Sequence, residues 1–252
     1  MTHANATERT RIKICGLTRE SDVDAAAAAG ADAVGFVMYA KSPRFVTPQR
    51  AAELARRLPP FVTPVLLFVN EAPADVQAAC AQVPGCMIQF HGDESPQQCE
   101  VATGNGRIAY LKAARIPIDD SPFDLVRFAC EHAGARGILL DAHVEGYGGS
   151  GKTFNWSRLA AANAQPDSAE PGVALRHLVL SGGLSAANVG DGILQVRPRC
   201  KTLAVDVSSG VERDGPGNKG IKDPEKINRF VAAVRAADVL LAKSTDGLLS
   251  TT

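Results

Sequence analysis

The stretch GILLDAHVEGYGGSGKTFNWSRLAAAN (137–163) decides between two folds. Its centre, GYGGSGKT (146–153), satisfies the phosphate-binding pattern G-x-x-x-x-G-K-[ST], which in a nucleotide triphosphatase joins a buried strand directly to a helix. Neither junction fits that geometry. The apolar run GILLD ends at Asp141, with AHVE still to pass before the first glycine. The next helix start falls near Asn155 or Ser157, so Lys152 sits in a loop and not at a helix N-terminus where backbone N–H groups converge on phosphate. The stretch therefore reads as a strand followed by a glycine-rich loop, one unit of a longer alternation.

That alternation runs the length of the chain. Short, near-continuously apolar runs, as expected of parallel strands buried on both faces, occur at RIKIC (11–15), AVGFVM (33–38), PVLLFV (64–69), MIQFH (87–91), IAYLKA (108–113), GILLD (137–141), HLVLS (177–181) and LAVDV (203–207). Helical stretches fill the gaps. SDVDAAAAAG carries Ser21 as N-cap and ends on Gly30, TPQRAAELARRL places Thr47 before Pro48, SPQQCEVAT repeats the Ser-Pro opening, and DPEKINRFVAAVRAAD closes the series. Eight β-then-α units in a chain of 252 residues predict a single-domain α/β protein, a (β/α)8 TIM barrel over 11–237. A flexible extension (1–10) precedes it and a tail (238–252) follows, while AQPDSAEPG (164–172) reads as a surface insertion. A doubly wound open sheet is the alternative, but CGLT, not G-x-G-x-x-G, follows the first strand.

Composition narrows the function. Lys plus Arg equals Asp plus Glu at 27 each, which gives no broad reason to expect nucleic acid or an anionic membrane, so any phosphate binding must be local. No run reaches the ~18 apolar residues of a membrane span, and the N-terminus lacks the apolar core of a signal peptide; the expected setting is the cytoplasm. Six cysteines without a C-x-x-C argue against a zinc ribbon or a disulfide framework.

In a barrel, the residues that follow the strands converge on one mouth. Here they are Cys15-Gly16, Lys41-Ser42-Pro43-Arg44, His91-Gly92, Lys112, Asp141, Ser181-Gly182-Gly183, and Asp206 with Ser208-Ser209-Gly210. The last two groups follow strands seven and eight, where many barrels hold phosphate on backbone N–H groups. Gly182, Gly183 and Gly210 allow close approach, and Ser208 and Ser209 add hydroxyl donors. Cys15 can abstract a proton if neighbouring cations or N–H donors favour its thiolate; standing alone it reads as a buried strand cysteine. Asp141 ends an apolar strand, where burying a carboxylate without use is costly, and a carboxyl that holds its proton can act as a general acid. A helix cap or loop salt bridge is its structural alternative. Arg44 suits a bidentate grip on a carboxylate, or is an exposed loop arginine. His91, with no second histidine at metal spacing, suits hydrogen bonding, and no metal is expected. Lys112 offers either a Schiff base or an ion pair of the lumen or rim, the latter favoured because no second activating cation is near in sequence.

Taken in order, KICGLT, DAVGFVMYAKSPRFVT, LLFVN, IQFHGDE, LLDA with GGSGKTFNW, LSGGLSAANV, DVSSGVE and KDPEKI resemble the phosphoribosylanthranilate isomerase family of tryptophan biosynthesis, over about 13–234. The resemblance implies a cofactor-free Amadori rearrangement with Asp141 as general acid and Cys15 as general base. It puts the substrate's carboxylate on Arg44 with help from Asp206, makes His91 a substrate-binding residue, and seats the phosphate on Gly182, Gly183, Ser208, Ser209 and Gly210. It also turns Gly148, Gly149, Gly151 and Lys152 into a lid loop over the substrate. The partner implied is a small phosphorylated molecule, with the chain a monomer or a homodimer. RDGPGNKGI (213–221) looks longer than the family's usual loop, and Ser181 stands where alanine is more typical. The sister isomerase of histidine biosynthesis, a P-loop ATPase and a catalytically silent barrel are the competing readings; Cys15 and the Arg44 loop argue against the first.

Overall fold

A computed structural model describes residues 9–119, 121–143, 156 and 177–249. The glycine-rich loop with Gly148, Gly149, Gly151 and Lys152, the helix expected after it and the 164–172 insertion lie outside the described residues. Eight parallel strands close into a barrel in sequential order: β1 Arg11–Cys15, β2 Ala33–Val37, β3 Thr63–Phe68, β4 Met87–Phe90, β5 Tyr110–Pro117, β6 Gly137–His143, β7 His177–Leu180 and β8 Thr202–Val207. Between and after them run α1 Glu20–Ala28, α2 Pro48–Ala55, α3 Pro73–Gln82, α4 Pro96–Ala102, α5 Leu125–Glu131, α6 Val189–Val196 and α7 Pro224–Leu249. The barrel alternative among the two folds is therefore the correct one, and β1 matches the expected run residue for residue.

Local chemistry accounts for the helix ends. Thr47 accepts from Arg50 N at 3.2 Å with Pro48 in the first turn of α2, and Ser95 and Gln98 form a reciprocal capping box on α4. After α1, Gly30 N reaches Ala27 O at 3.0 Å and Ala31 N reaches Ala26 O at 3.1 Å, a Schellman close that uses the positive φ of Gly30. Ser21 does not cap α1. The helix begins one residue earlier, at Glu20, and Arg19 grips Asp22 at 2.6 Å across the first turn, so acidic side chains rather than a serine hydroxyl answer the N-terminal dipole.

Strand parity divides the molecule into two shells. Odd-numbered side chains of β1 to β7 fill the lumen in two small groups, Cys15, Val37, Leu67 and Val69 on one side and Ala113, Leu139 and Val179 on the other, joined on β8 by even-numbered Ala204, while the large cluster packs between barrel and helices. β5 and β6 run longer than their apolar runs, paired from Leu111↔Gly137 to Pro117↔His143. Arg115 and Pro117 hid that extension from a reading based on apolarity. Lys112 is accordingly not at a strand end and does not reach the mouth. It lies between lumen-facing Leu111 and Ala113, turns to the helix shell, and gives its protons to Glu94 Oε2 at 2.7 Å and Gly92 O at 2.8 Å. An ion pair is what it makes, outside the lumen.

At the chain ends, Thr10 N and Oγ1 both donate to Asp238, Arg9 pairs with Asp32, and α7 passes through Asp238 without a break. His132, just past α5, is buried against the Phe128 ring at 4.7 Å, and among the described residues its Nδ1 has no partner. Burial, and then the Lys112 charge, push its pKa down to about 4. Below the ordinary imidazole pKa the unfolded chain then binds a proton that the folded chain refuses, so stability falls as pH drops through ~6.5 toward the folded value. We expect His132→Phe to flatten the loss of stability on acidification from neutral pH, measured by urea unfolding at several pH values; an unchanged slope would exclude His132 as its source.

Candidate active site

One cavity opens at the C-terminal mouth of the barrel, with about 680 Å³ of space counting its open entrance. β1 and β2 contribute Cys15 and Val37 to its wall, β4 and β6 contribute Gln89 and Asp141, and the turns after β7 and β8 contribute Gly182-Gly183 and Ser208-Ser209. Arg44, His91 and Asp206 line it as well. Gly210 does not; it stands behind the wall, where a Cβ would run into the Leu184 carbonyl, so its lack of a side chain is what lets the two turns touch.

Asp141 faces His91, whose Nε2 lies 2.9 Å from Oδ2, and the other ring nitrogen is 2.9 Å from Gln89 Nε2. The imidazole thus bridges the Gln89 amide and the Asp141 carboxyl, with its donor and acceptor roles set by the tautomer. Gln89 and His91 share one strand face, a parity visible in IQFH, but the sequence reading passed over Gln89. The turn behind them is fixed by Glu94, whose Oε1 accepts from Asn70 N at 2.8 Å and whose Oε2 accepts from Gly92 N at 3.0 Å.

Arg44 is 8% exposed, not an outlying loop residue. Its Nε and Nη2 donate to Glu212 at 2.6 and 3.0 Å, leaving Nη1 uncommitted to that carboxylate. Glu212 in turn takes Lys222 Nζ at 3.0 Å, and the same ammonium reaches Ser208 O at 3.0 Å. Burial pushes the Glu212 carboxyl up, but Arg44 and Lys222 outweigh it and hold the pKa below the usual carboxylate range. Burial pushes the fully buried Lys222 down, with Glu212 opposing. This chain couples the β2 loop to the turn after β8, and sequence reasoning found neither Glu212 nor Lys222. Both lie in quoted segments, DVSSGVE and KDPEKI, but only folding brings them together: the 213–221 excursion is closed at its base by Arg213 N to Ile221 O at 2.9 Å.

Asp206 is not a neighbour of Arg44 in hydrogen-bonding terms. Its Oδ1 takes Lys13 Nζ at 2.8 Å and its Oδ2 accepts from Ser181 Oγ at 3.3 Å. Cys15 sits beside Gly35, where a Cβ would come within 2.6 Å of the sulfur. Among the described residues no group of three His, Cys, Asp or Glu side chains could hold a metal ion.

A closed (β/α)8 barrel with a polar, charge-bearing cavity at the strands' C-terminal mouth has the architecture of a barrel enzyme. A family profile described as "N-(5'phosphoribosyl)anthranilate (PRA) isomerase" matches residues 12–233. The chain is 58% identical over 236 residues to N-(5'-phosphoribosyl)anthranilate isomerase of Methylibium petroleiphilum, covering 94% of this chain and 99% of that protein. The phosphoribosyl anthranilate isomerase structure from Thermotoga maritima superposes with a TM-score of 0.74 at 37% identity, covering 90% of this chain and 99% of that one. A second structure of such an isomerase, solved in complex with reduced 1-(o-carboxyphenylamino)-1-deoxyribulose 5-phosphate, gives 0.71 at 34% identity with the same coverage. The chain belongs to the N-(5'-phosphoribosyl)anthranilate isomerase family.

The tight fit at Gly35 carries a test. Gly35→Ala is expected to cost about 1–3 kcal/mol by overpacking. Part of that should return in Gly35→Ala/Cys15→Ala, since the sulfur is the nearest obstacle. Strictly additive losses in urea unfolding would show that the two positions do not meet.

Proposed function

We propose that the chain catalyses the Amadori rearrangement of N-(5-phosphoribosyl)anthranilate to 1-(2-carboxyphenylamino)-1-deoxyribulose 5-phosphate, an aldose–ketose isomerisation of tryptophan synthesis, with Asp141 as general acid and Cys15 as general base. The observation that carries this reading is that the thiol and the carboxyl, from β1 and β6, line one cavity together with the turns after β7 and β8. Asp141 protonates the ribose ring oxygen, the C1–O bond breaks, and the substrate nitrogen takes up the positive charge as an iminium. Cys15 then removes the proton from C2, and the C–H electron pair neutralises the nitrogen to give an enolamine. Tautomerisation to the ketone completes the product. The nitrogen of the substrate delocalises the electrons, so no metal or organic cofactor enters the scheme.

Binding follows the charges. Gly182, Gly183, Ser208 and Ser209 offer N–H and hydroxyl donors to the phosphate, and Gly210 keeps their two turns in contact. Arg44, oriented by Glu212, receives the anthranilate carboxylate, and Asp206 and His91 complete the wall. The lid expected at Gly148, Gly149, Gly151 and Lys152 falls outside the described residues. The setting is the cytoplasm, the partner a small phosphorylated substrate, and the assembly a monomer or a homodimer; among the described residues no helix is long and apolar enough to cross a membrane.

Loss of phosphoribosylanthranilate fluorescence with purified protein tests the activity. Cys15→Ser and Asp141→Asn are each expected to lower kcat at least about a hundredfold with circular dichroism unchanged; near wild-type rates in both would sink the mechanism. Arg44→Lys is expected to raise KM by about tenfold or more, because an ammonium cannot make the paired contacts of a guanidinium. Turnover of the histidine-pathway aminoimidazole substrate alone, or MgATP binding abolished by Lys152→Ala without isomerase turnover, would each replace this reading by a different one.

A further inference from the structure

Cys15 stands in surroundings that ought to silence it. Val37, Leu67 and Val69 pack around the thiol, with Tyr39 beside them, and Gly35 of β2 lies against the sulfur. Burial pushes the thiol pKa up, and it stays above the ordinary value even with the cations around it, while a neutral thiol is no base. Something must counter that burial if Cys15 is to take a proton.

The group in position is Lys13. It lies two residues earlier on the same lumen-facing side of β1, is 4% exposed, and its charge favours the Cys15 thiolate. Across the seam between β1 and β8 it is in register with Asp206, whose Oδ1 takes its Nζ at 2.8 Å. Ser181 Oγ holds the other Asp206 oxygen at 3.3 Å. An ammonium has three N–H donors, so the bond to Asp206 does not exhaust it. Burial alone pushes Lys13 toward its neutral form, yet Asp206 and Cys15 outweigh it and hold its pKa above the ordinary lysine value. The other charged groups acting on the thiol are Asp206, which opposes the thiolate, and Lys222, which favours it.

We propose that Lys13 is the positioning residue that makes Cys15 a base: its buried ammonium, fixed across the barrel seam by Asp206, lies on the strand face that carries the sulfur and favours the thiolate through the reaction cycle. Cys15, Lys13 and Asp206 then form a nucleus of base, activating cation and orienting carboxylate. The alternative is that Lys13 only neutralises Asp206 in the lumen. The proposal rests on Cys15 as the base, and the two can fail separately: Cys15→Ser kinetics test the base, whereas titration of the Cys15 thiol tests Lys13.

The experiment is iodoacetamide labelling of the full chain as a function of pH, read by mass on the peptide that carries Cys15 because Cys130 is exposed and will also react, together with kcat/KM over the same range. Lys13→Met should raise the labelling midpoint and the acid limb of kcat/KM together by about 1–3 pH units and slow turnover at neutral pH at least about tenfold. Should Lys13→Met fail to fold with Asp206 unpaired, Lys13→Met/Asp206→Asn keeps the comparison, its midpoint expected above that of Asp206→Asn. A labelling midpoint unmoved by loss of Lys13, or one that moves while the acid limb of kcat/KM stays where it is, overturns the proposal.

Discussion

Closing the sheet between β1 and β8 puts Lys13 opposite Asp206, and a buried ion pair forms inside the barrel where water would otherwise solvate both groups. Such a pair adds little net stability, since desolvation of both ions consumes much of their attraction, while removal of one partner leaves the other charge stranded. Its value here lies in what it sets next to it. The pair delivers a cation to the lumen face that carries Cys15, and the Ser181 hydroxyl ties it to the turn after β7. One strand register thus fixes a thiol, an ammonium, a carboxylate and the entry to the glycine turn.

Parity governs the rest. Lumen-facing positions hold two small apolar groups and, above them, the polar residues of the mouth, whereas the outward positions build the large core against the helices. Lys112 and Glu94 pair outside the barrel, and Lys13 and Asp206 pair inside it. The two pairs do different work. The outer one clamps the turns after β3 and β4 through Asn70 N and Gly92 N, steadying His91; the inner one borders the cavity. A third network, from Arg44 through Glu212 to Lys222 and Ser208, ties the loops after β2 and β8. Loops positioned by buried charge on a rigid barrel can hold a substrate's two ends at a fixed separation, which is what orientation-based catalysis needs.

The fold was legible because parallel strands covered on both faces leave an unbroken apolar signature, and β1, β7 and β8 lie within a residue of where that signature put them. It failed where polar residues continue a strand, at Arg115 in β5, and with it went the placement of Lys112. The candidate site was legible to the extent that it sits at strand ends: Cys15, Arg44, His91, Asp141, Asp206 and the serine and glycine turns reach one cavity, with Gly210 just behind it. Gln89 and Lys13 carried a readable signal, two residues before His91 and Cys15 on the same strand face. Glu212 and Lys222 carried none.

Sequence by itself determined the eight strand runs and the residues at the strand ends. Periodicity and turn chemistry are local, and local order suffices for them. Tertiary structure alone decided which charges neutralise one another, because the partners are distant along the chain: Lys13 and Asp206 are separated by 193 positions, and Arg44 and Glu212 by 168. It also decided which face each strand residue takes once the sheet closes. The physical reason is burial: a charge excluded from water must find its counter-charge in space, and only the closed barrel specifies where that is.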